Sequence, residues 1–410
     1  MKVVIVSTHP IQYQVPWLQR LAAEKHTDLE VYYALLPDQD QQGVGFGVSF
    51  AWDIPMLEGY RCRVMHNNRS APALRGFFSS STPEIYSLLA QARPDAVIIT
   101  GWHALPLLQT LWACIRLRIP RIVRAESNGM RRRPWWVRML HRLLISRFDA
   151  FLAIGRANRE FYRQYGIAEG SIFSSPYFVD NGRFNDQRQK LLNERSALRA
   201  EWHIPEGHTC FLFAGKLEPK KRIVDLLLAL DSARRVEPAV HLLVVGTGEL
   251  MDEARRLVED MNLPVTFAGF LNQTEITRAY VAADCLVLPS DFGETWGLVV
   301  NEAMVCGLPA VVSDRVGCGP DLIEPGVTGA IFTCGDIDAL SMKLVELASD
   351  RESLVRMGEN AKDRVKNYSV EQAVAGTLQA INYVARRSDS EFERLDSQSA
   401  VGTSKSAIPK

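Results

Sequence analysis

Pro289-Ser290-Asp291-Phe292-Gly293-Glu294-Thr295-Trp296-Gly297-Leu298-Val299-Val300-Asn301-Glu302-Ala303-Met304-Val305-Cys306-Gly307 is the stretch around which the chain is organised. It follows Cys285-Leu286-Val287-Leu288, an apolar run of the length and type of a buried strand. Asp291 to Gly293 reads as a turn, the pattern becomes helical after Gly297, and Gly307 stops the helix. Glu294 therefore lies in a loop and Glu302 in a helix. Two carboxylates eight residues apart first suggest a hydrolase, but a glycoside hydrolase needs its pair roughly 5–10 Å apart around one bond. Helix across that whole gap would rise about 12 Å and turn the second carboxylate away from the first. The pair is better placed to hold two parts of one long ligand. Glu302 sits beside Val299, Val300 and Ala303 on a mostly apolar helix. Either it faces solvent, as most glutamates do, or caps a neighbouring loop, or it is held inward for a ligand.

The same alternation runs outward in both directions. Strands are expected over residues 3–7, 29–34, 96–100, 121–125 and 150–154, with helices over 15–24, 84–92, 105–117, 137–146 and 157–165. Residues 37–83 are rich in Gly, Pro and Ser and read as loops with one short strand pair. Turn residues cluster over 175–182, the expected hinge. A polar helix at 186–201 precedes further strands at 210–214, 241–245, 265–268, 285–289, 310–313 and 330–332. Strand and helix in alternation imply parallel sheets covered on both faces. The expected division is an N-terminal domain over 1–180 and a C-terminal domain over 181–368. A helix at 369–386 follows, then a disordered tail at 388–410.

At 410 residues two such domains fit, and 47% hydrophobic residues fill their cores. The zero formal charge gives no global field for nucleic acid or for an anionic membrane. Seven scattered cysteines without a C-x-x-C spacing read as reduced core residues of a cytoplasmic protein. The N-terminal run is too short for a signal peptide and reads as a first strand.

Gly215-Lys216-Leu217-Glu218-Pro219-Lys220-Lys221-Arg222 opens a helix. Its cations oppose the helix dipole, so either an anion binds there or the side chains are solvated. His103 follows a strand end through Gly101-Trp102, as a site residue or as a structural one. Glu126-Ser127-Asn128-Gly129 ends another strand, where Glu126 and Asn128 could face an acceptor. Residues 116–147 carry ten arginines and one acidic residue, with Arg131-Arg132-Arg133-Pro134-Trp135-Trp136 at the centre. Residues 131–136 suit a peripheral contact with an anionic membrane, an anionic acceptor, or a solvated face with half-buried tryptophans.

The Glu294/Glu302 spacing, with Trp296-Gly297-Leu298 between and Ala303-Met304 after, resembles the signature of retaining GT-B glycosyltransferases of family 4. The similarity is clearest over 210–335 and weaker before 180. It implies a GT-B fold: two Rossmann-like α/β domains with parallel sheets facing a cleft, and a last helix crossing back to the first domain. It also implies donor contacts from Glu294, Thr295, Trp296, Gly297 and Leu298 to the sugar, from Glu302 to the ribose, and from Phe270 and Leu271 to the base. Lys216, after Gly215, and Lys221 would neutralise the diphosphate, and His103 would lie near the donor sugar. Lys216 departs from the more usual arginine, which keeps the charge and loses the bidentate fork. Where many members have a Gly pair, this chain has His9-Pro10-Ile11-Gln12-Tyr13-Gln14, so helix amides near Gln14 would have to substitute.

The implied activity is retaining transfer from a nucleotide-diphosphate sugar, with no cofactor or metal, in the cytoplasm or on the inner face of a membrane. The acceptor would be a glycan, a lipid-linked glycan or a small glycoside of bacterial cell-envelope type. Asp38-Gln39-Asp40 fits a metal-binding Asp-x-Asp but lies in the irregular stretch. A nucleotide-sugar epimerase or a catalytically silent binding module are the alternatives.

Overall fold

The computed structural model describes residues 1–402 apart from Arg75 and Arg132, with side chains described through Arg387. The expected tail, 388–410, lies outside the fully described residues. The first sheet holds β1 (Lys2–Ser7), β2 (Asp28–Tyr33), β3 (Arg61–Val64), β4 (Ala96–Ile99), β5 (Arg121–Val123), β6 (Ala150–Ala153) and β7 (Ile172–Ser174). Their order is β3-β2-β1-β4-β5-β6-β7, with parallel pairing throughout. The second sheet holds β8 (Thr209–Ala214), β9 (Val240–Val245), β10 (Val265–Gly269), β11 (Cys285–Leu288), β12 (Ala310–Ser313) and β13 (Gly329–Phe332). Its order is β10-β9-β8-β11-β12-β13, again all parallel.

In each sheet the order reverses beside the first strand, between β1 and β4 and between β8 and β11. Ligands of open parallel sheets bind outside the carboxyl ends at such points. β8, β9 and β11 are buried along their whole length, which is why, apart from Thr209 and His241, they read as apolar runs and not as alternating ones.

The irregular stretch is more ordered than its composition suggests. Asp38 caps a short helix, Gln39–Gly43, in a reciprocal capping box with Gln41. The expected strand pair is one strand, β3, added parallel to the edge of the first sheet. β7 was not foreseen; Ile172-Phe173-Ser174 is too short to show a period. The expected hinge is packed, with Tyr177, Phe178 and Val179 all buried.

The last helix, Val370–Gly402, returns to the first domain. Ala373, Val374, Ala380 and Ile381 join Val3, Ile5 and Trp17 in one apolar cluster. Trp17 Nε1 donates to Thr377 Oγ1 at 3.2 Å, and Ser175 Oγ donates to the Ala373 carbonyl at 3.1 Å. A Cβ at Gly376 would fall 1.7 Å from the Ser174 carbonyl, so only glycine lets the helix cross so close to the end of β7.

Candidate active site

The loop after β11 turns into the helix Leu298–Val305 at Gly297, whose φ of 97° is left-handed. A Cβ there would also press on Leu288 Cδ2 at 2.8 Å, so the turn needs glycine on two counts. The helix is buried over most of its length and carries Glu302 inward, 2% exposed. The solvent-facing reading of Glu302 is thereby excluded. Tyr280 Oη donates to Glu302 Oε2 at 2.5 Å; Oε1 makes no hydrogen bond of good geometry among the described residues, with the Tyr13 hydroxyl and the Gln273 side chain close to the carboxyl. Burial raises the Glu302 pKa, with the Tyr280 and Tyr13 hydroxyls and the Arg183 charge pulling the other way. A buried carboxylate oxygen without a donor is costly unless something supplies one. Trp296 Nε1 donates to Asn301 Oδ1 at 2.8 Å, and Asn301 Nδ2 donates to the Tyr177 carbonyl at 3.3 Å. The Trp296 ring is thus fixed in the core, so this residue turns only its backbone to the cleft side of the loop.

Lys221 ends a 3-10 turn, Pro219–Lys221, before the helix Ile223–Val236. Its Nζ donates to Glu294 Oε2, and the side chains of this ion pair are 12% and 14% exposed. The side chain expected on a diphosphate and the one expected on a sugar are therefore joined to each other. The solvated reading of Lys221 fails. Lys216 Nζ donates to the Val44 carbonyl at 2.9 Å and lies 4.5 Å from the centre of the Phe46 ring.

Across the cleft a cavity of about 460 Å³ lies at the carboxyl ends of β1, β4 and β5. His9, His103, Arg124, Glu126, Asn128 and Arg131 are among its lining residues. Glu126 accepts from Tyr177 Oη, and from Thr295 Oγ1 at 2.8 Å; Asn128 Nδ2 donates to the Thr295 carbonyl at 3.2 Å. The two residues expected on an acceptor thus also hold the loop that carries Glu294. Arg124 is buried against the Trp17, Tyr177 and Phe178 rings, and its Nε has no partner among the described residues. Burial lowers the His103 pKa, which Glu126 partly offsets.

Burial, and then the His103 charge, bring the His9 pKa down from 6.5 to about 4. An unfolded chain binds this proton first as the pH falls, so His9 costs native stability progressively from pH 6.5 down to about 4. His9→Gln is expected to flatten the melting-temperature profile in that window and leave it unchanged above pH 7. A variant with the wild-type acid slope would remove His9 as the cause.

Residues 194–364 match the family described as Glycosyl transferases group 1, and residues 7–174 match the Glycosyl transferase 4-like domain. The chain belongs to the group 1 glycosyltransferases. A sulfoquinovosyl transferase of Arabidopsis thaliana is 28% identical over 309 residues, 70% of this chain and 56% of that one. An N-acetyl-alpha-D-glucosaminyl L-malate synthase of Bacillus anthracis is 29% identical over 208 residues, 50% of this chain and 53% of that one. The chain spans about half the length of these curated relatives. Among solved structures, a glycosyltransferase from Rickettsia africae ESF-5 superposes with a TM-score of 0.71 at 14% identity, covering 93% of this chain and 98% of that one. Anabaena HepE in complex with UDP gives 0.70 at 17% identity, covering 93% and 100%. The fold is GT-B.

Sequence reasoning missed how this group 1 glycosyltransferase straps its cleft. Residues 44–53 leave the first domain and lie across the second. Phe46 and Phe50 pack on Phe270, with ring centres 5.1 and 4.4 Å away. Asn272 Nδ2 donates to the Ala51 carbonyl at 2.8 Å, and the Thr274 amide and hydroxyl donate to the Asp53 carboxylate. Phe270, expected at the base, is therefore covered by aromatic rings of the other domain. The available signal was Phe46, Phe50 and Trp52 clustered inside a supposed loop. Among the described residues no group of three or more His, Cys, Asp or Glu could hold a metal, and no helix is long and apolar enough to cross a membrane.

Proposed function

We propose that this protein transfers a sugar, with retention of configuration and without a metal, from a nucleotide-diphosphate sugar to a glycan, lipid-linked glycan or small glycoside acceptor. The observation that supports the reading is Glu302, a buried carboxylate whose Oε1 accepts no hydrogen bond of good geometry among the described residues, beside the Tyr13 hydroxyl and the Gln273 side chain. In this reading a ribose hydroxyl donates to that oxygen. The diphosphate draws Lys221 away from Glu294 and joins Lys216, which frees Glu294 to meet the sugar. Charge that develops on the leaving diphosphate is then met by two fixed cations in a closed cleft, the arrangement that stabilises a transition state. Attack from the donor's own leaving-group face needs no protein nucleophile. The acceptor occupies the cavity lined by His103 and Glu126. The Anabaena structures with UDP and UDP-glucose make UDP-sugars the first donors to try.

The test is incubation with UDP-, GDP- and ADP-sugars, with and without a chelator. The readouts are the melting temperature, the released nucleotide and the anomeric configuration of the product. A bound donor raises stability by mass action. No stabilisation by any of them, or an inverted product, would overturn the reading; an altered free sugar without transfer would indicate the epimerase alternative. His103→Ala is expected to lower turnover while nucleotide binding holds, since His103 lines the cavity assigned to the acceptor and Lys221 does not. Normal turnover at the wild-type melting temperature would return His103 to a structural role.

A further inference from the structure

The helix Trp135–Ile145 buries only Ile145 completely. His141 meets the Trp102 and Phe161 rings, and Leu144 packs on the core of the first domain. Trp135, Trp136, Met139, Leu140 and Leu143 point the other way, each between 53% and 76% exposed. Their spacing makes a continuous stripe along one side of a helix. Arg138 and Arg142 flank one edge of it, and Arg131 and Arg147 lie beyond the two ends of the helix; all four are exposed and none has an ion-pair partner among the described residues. The helix Leu105–Leu117 shares the apolar cluster beneath and also exposes Trp112, beside Tyr86 and with Arg116 over its ring. Phe78, also exposed, lies beside Phe77, whose carbonyl accepts from the Leu105 amide at the start of that helix.

We propose that this face docks the protein on an anionic bilayer. Five bulky apolar side chains left in water are unusual for a monomeric protein and mark an interaction surface. An outward apolar stripe bordered by arginines is the arrangement of a helix lying in the lipid interface, with tryptophan at headgroup depth. At 11 residues the helix is far too short to span a bilayer. A second copy of the chain fits poorly, because it would bring the unpaired arginines against one another. Arg131 belongs both to this face and to the cavity lining. Given the acceptor reading of that cavity, its mouth opens at the lipid surface, and the acceptor is a membrane-anchored one.

The experiment is co-sedimentation of the full chain with phosphatidylcholine vesicles, with and without phosphatidylglycerol. Wild type is expected to pellet with the anionic vesicles only, and less so at high salt. Arg138→Ser/Arg142→Ser should weaken binding roughly thirtyfold, the effect of two cations near a charged surface. Leu140→Ser/Leu143→Ser should weaken it as well. Neither variant should lose melting temperature or nucleotide binding, since these side chains meet solvent and lie outside the cleft. Equal binding of the variants, equal binding to neutral vesicles, or concentration-dependent dimers that vanish in the leucine variant would overturn the proposal. With labelled donor and a total membrane lipid extract, label should pass to the organic phase; label confined to water-soluble product would remove the acceptor assignment. Nucleotide titration of the wild type reads the donor site separately, so its failure would leave the vesicle result standing.

Discussion

Lys221→Ala is expected to lower kcat by two to three orders of magnitude under saturating donor. Removing one partner from a desolvated charge contact costs about 2–5 kcal/mol, and about 1.4 kcal/mol is tenfold in rate. The loss should fall on turnover, because diphosphate charge grows as the glycosidic bond breaks. The structure adds a second consequence. Lys221 and Glu294 are partners in a largely buried pair, so the substitution strands a carboxylate. A fall in melting temperature should accompany the kinetic loss. Lys221→Ala/Glu294→Gln separates the two: stability should return while turnover stays low. Recovery of turnover in the double variant would show that Lys221 serves only to neutralise Glu294.

Glu302→Gln is expected to weaken binding of donor and of free nucleotide diphosphate alike, by roughly tenfold to a hundredfold. That is the range for losing a hydrogen bond to a charged group, about 1.5–3 kcal/mol. The ribose does not change during reaction, so kcat at saturation should move little. Gln keeps an oxygen to accept from Tyr280 and removes a charge from a site that raises the carboxyl pKa. A raised carboxyl pKa means that ionised Glu302 costs native stability as the pH climbs through and above its ordinary value of 4.5. The variant should therefore melt higher than wild type at pH 7 while binding less well, a trade of stability for function. Glu294→Gln should instead spare free-nucleotide affinity and weaken only the sugar-bearing donor. Calorimetric titration of both variants with both ligands checks the assignment. Loss of nucleotide affinity in Glu294→Gln, with Glu302→Gln unaffected, would reverse the two roles.

Much of this protein was legible in one dimension. β8, β9 and β11 read as strands because a parallel strand covered on both faces is apolar at nearly every position, Thr209 and His241 excepted. Gly297 and Gly307 mark the ends of their helix because few other residues adopt a left-handed backbone cheaply. The strand-loop-helix placing of Glu294 and Glu302, and the domain exchange of the last helix, followed from the same local signals and the family resemblance. Local periodicity cannot show which side of an element meets its neighbours. It left Glu302 equally suited to water or core, and only the packing of Tyr280 against its helix decided for the core. Lys221 and Glu294 are 73 positions apart, Glu126 and Thr295 169 apart, and Asn272 and Ala51 221 apart. No local pattern encodes such pairs: the first exists only once β8 and β11 pair in one sheet, and the other two only once two sheets close on one cleft. The helix Trp135–Ile145 shows the limit most plainly. Its sequence offers apolar residues on more than one side, and hydrophobicity alone would bury them all. Only the tertiary structure, with room on the first sheet for His141, Leu144 and Ile145, leaves Trp136, Leu140 and Leu143 in solvent.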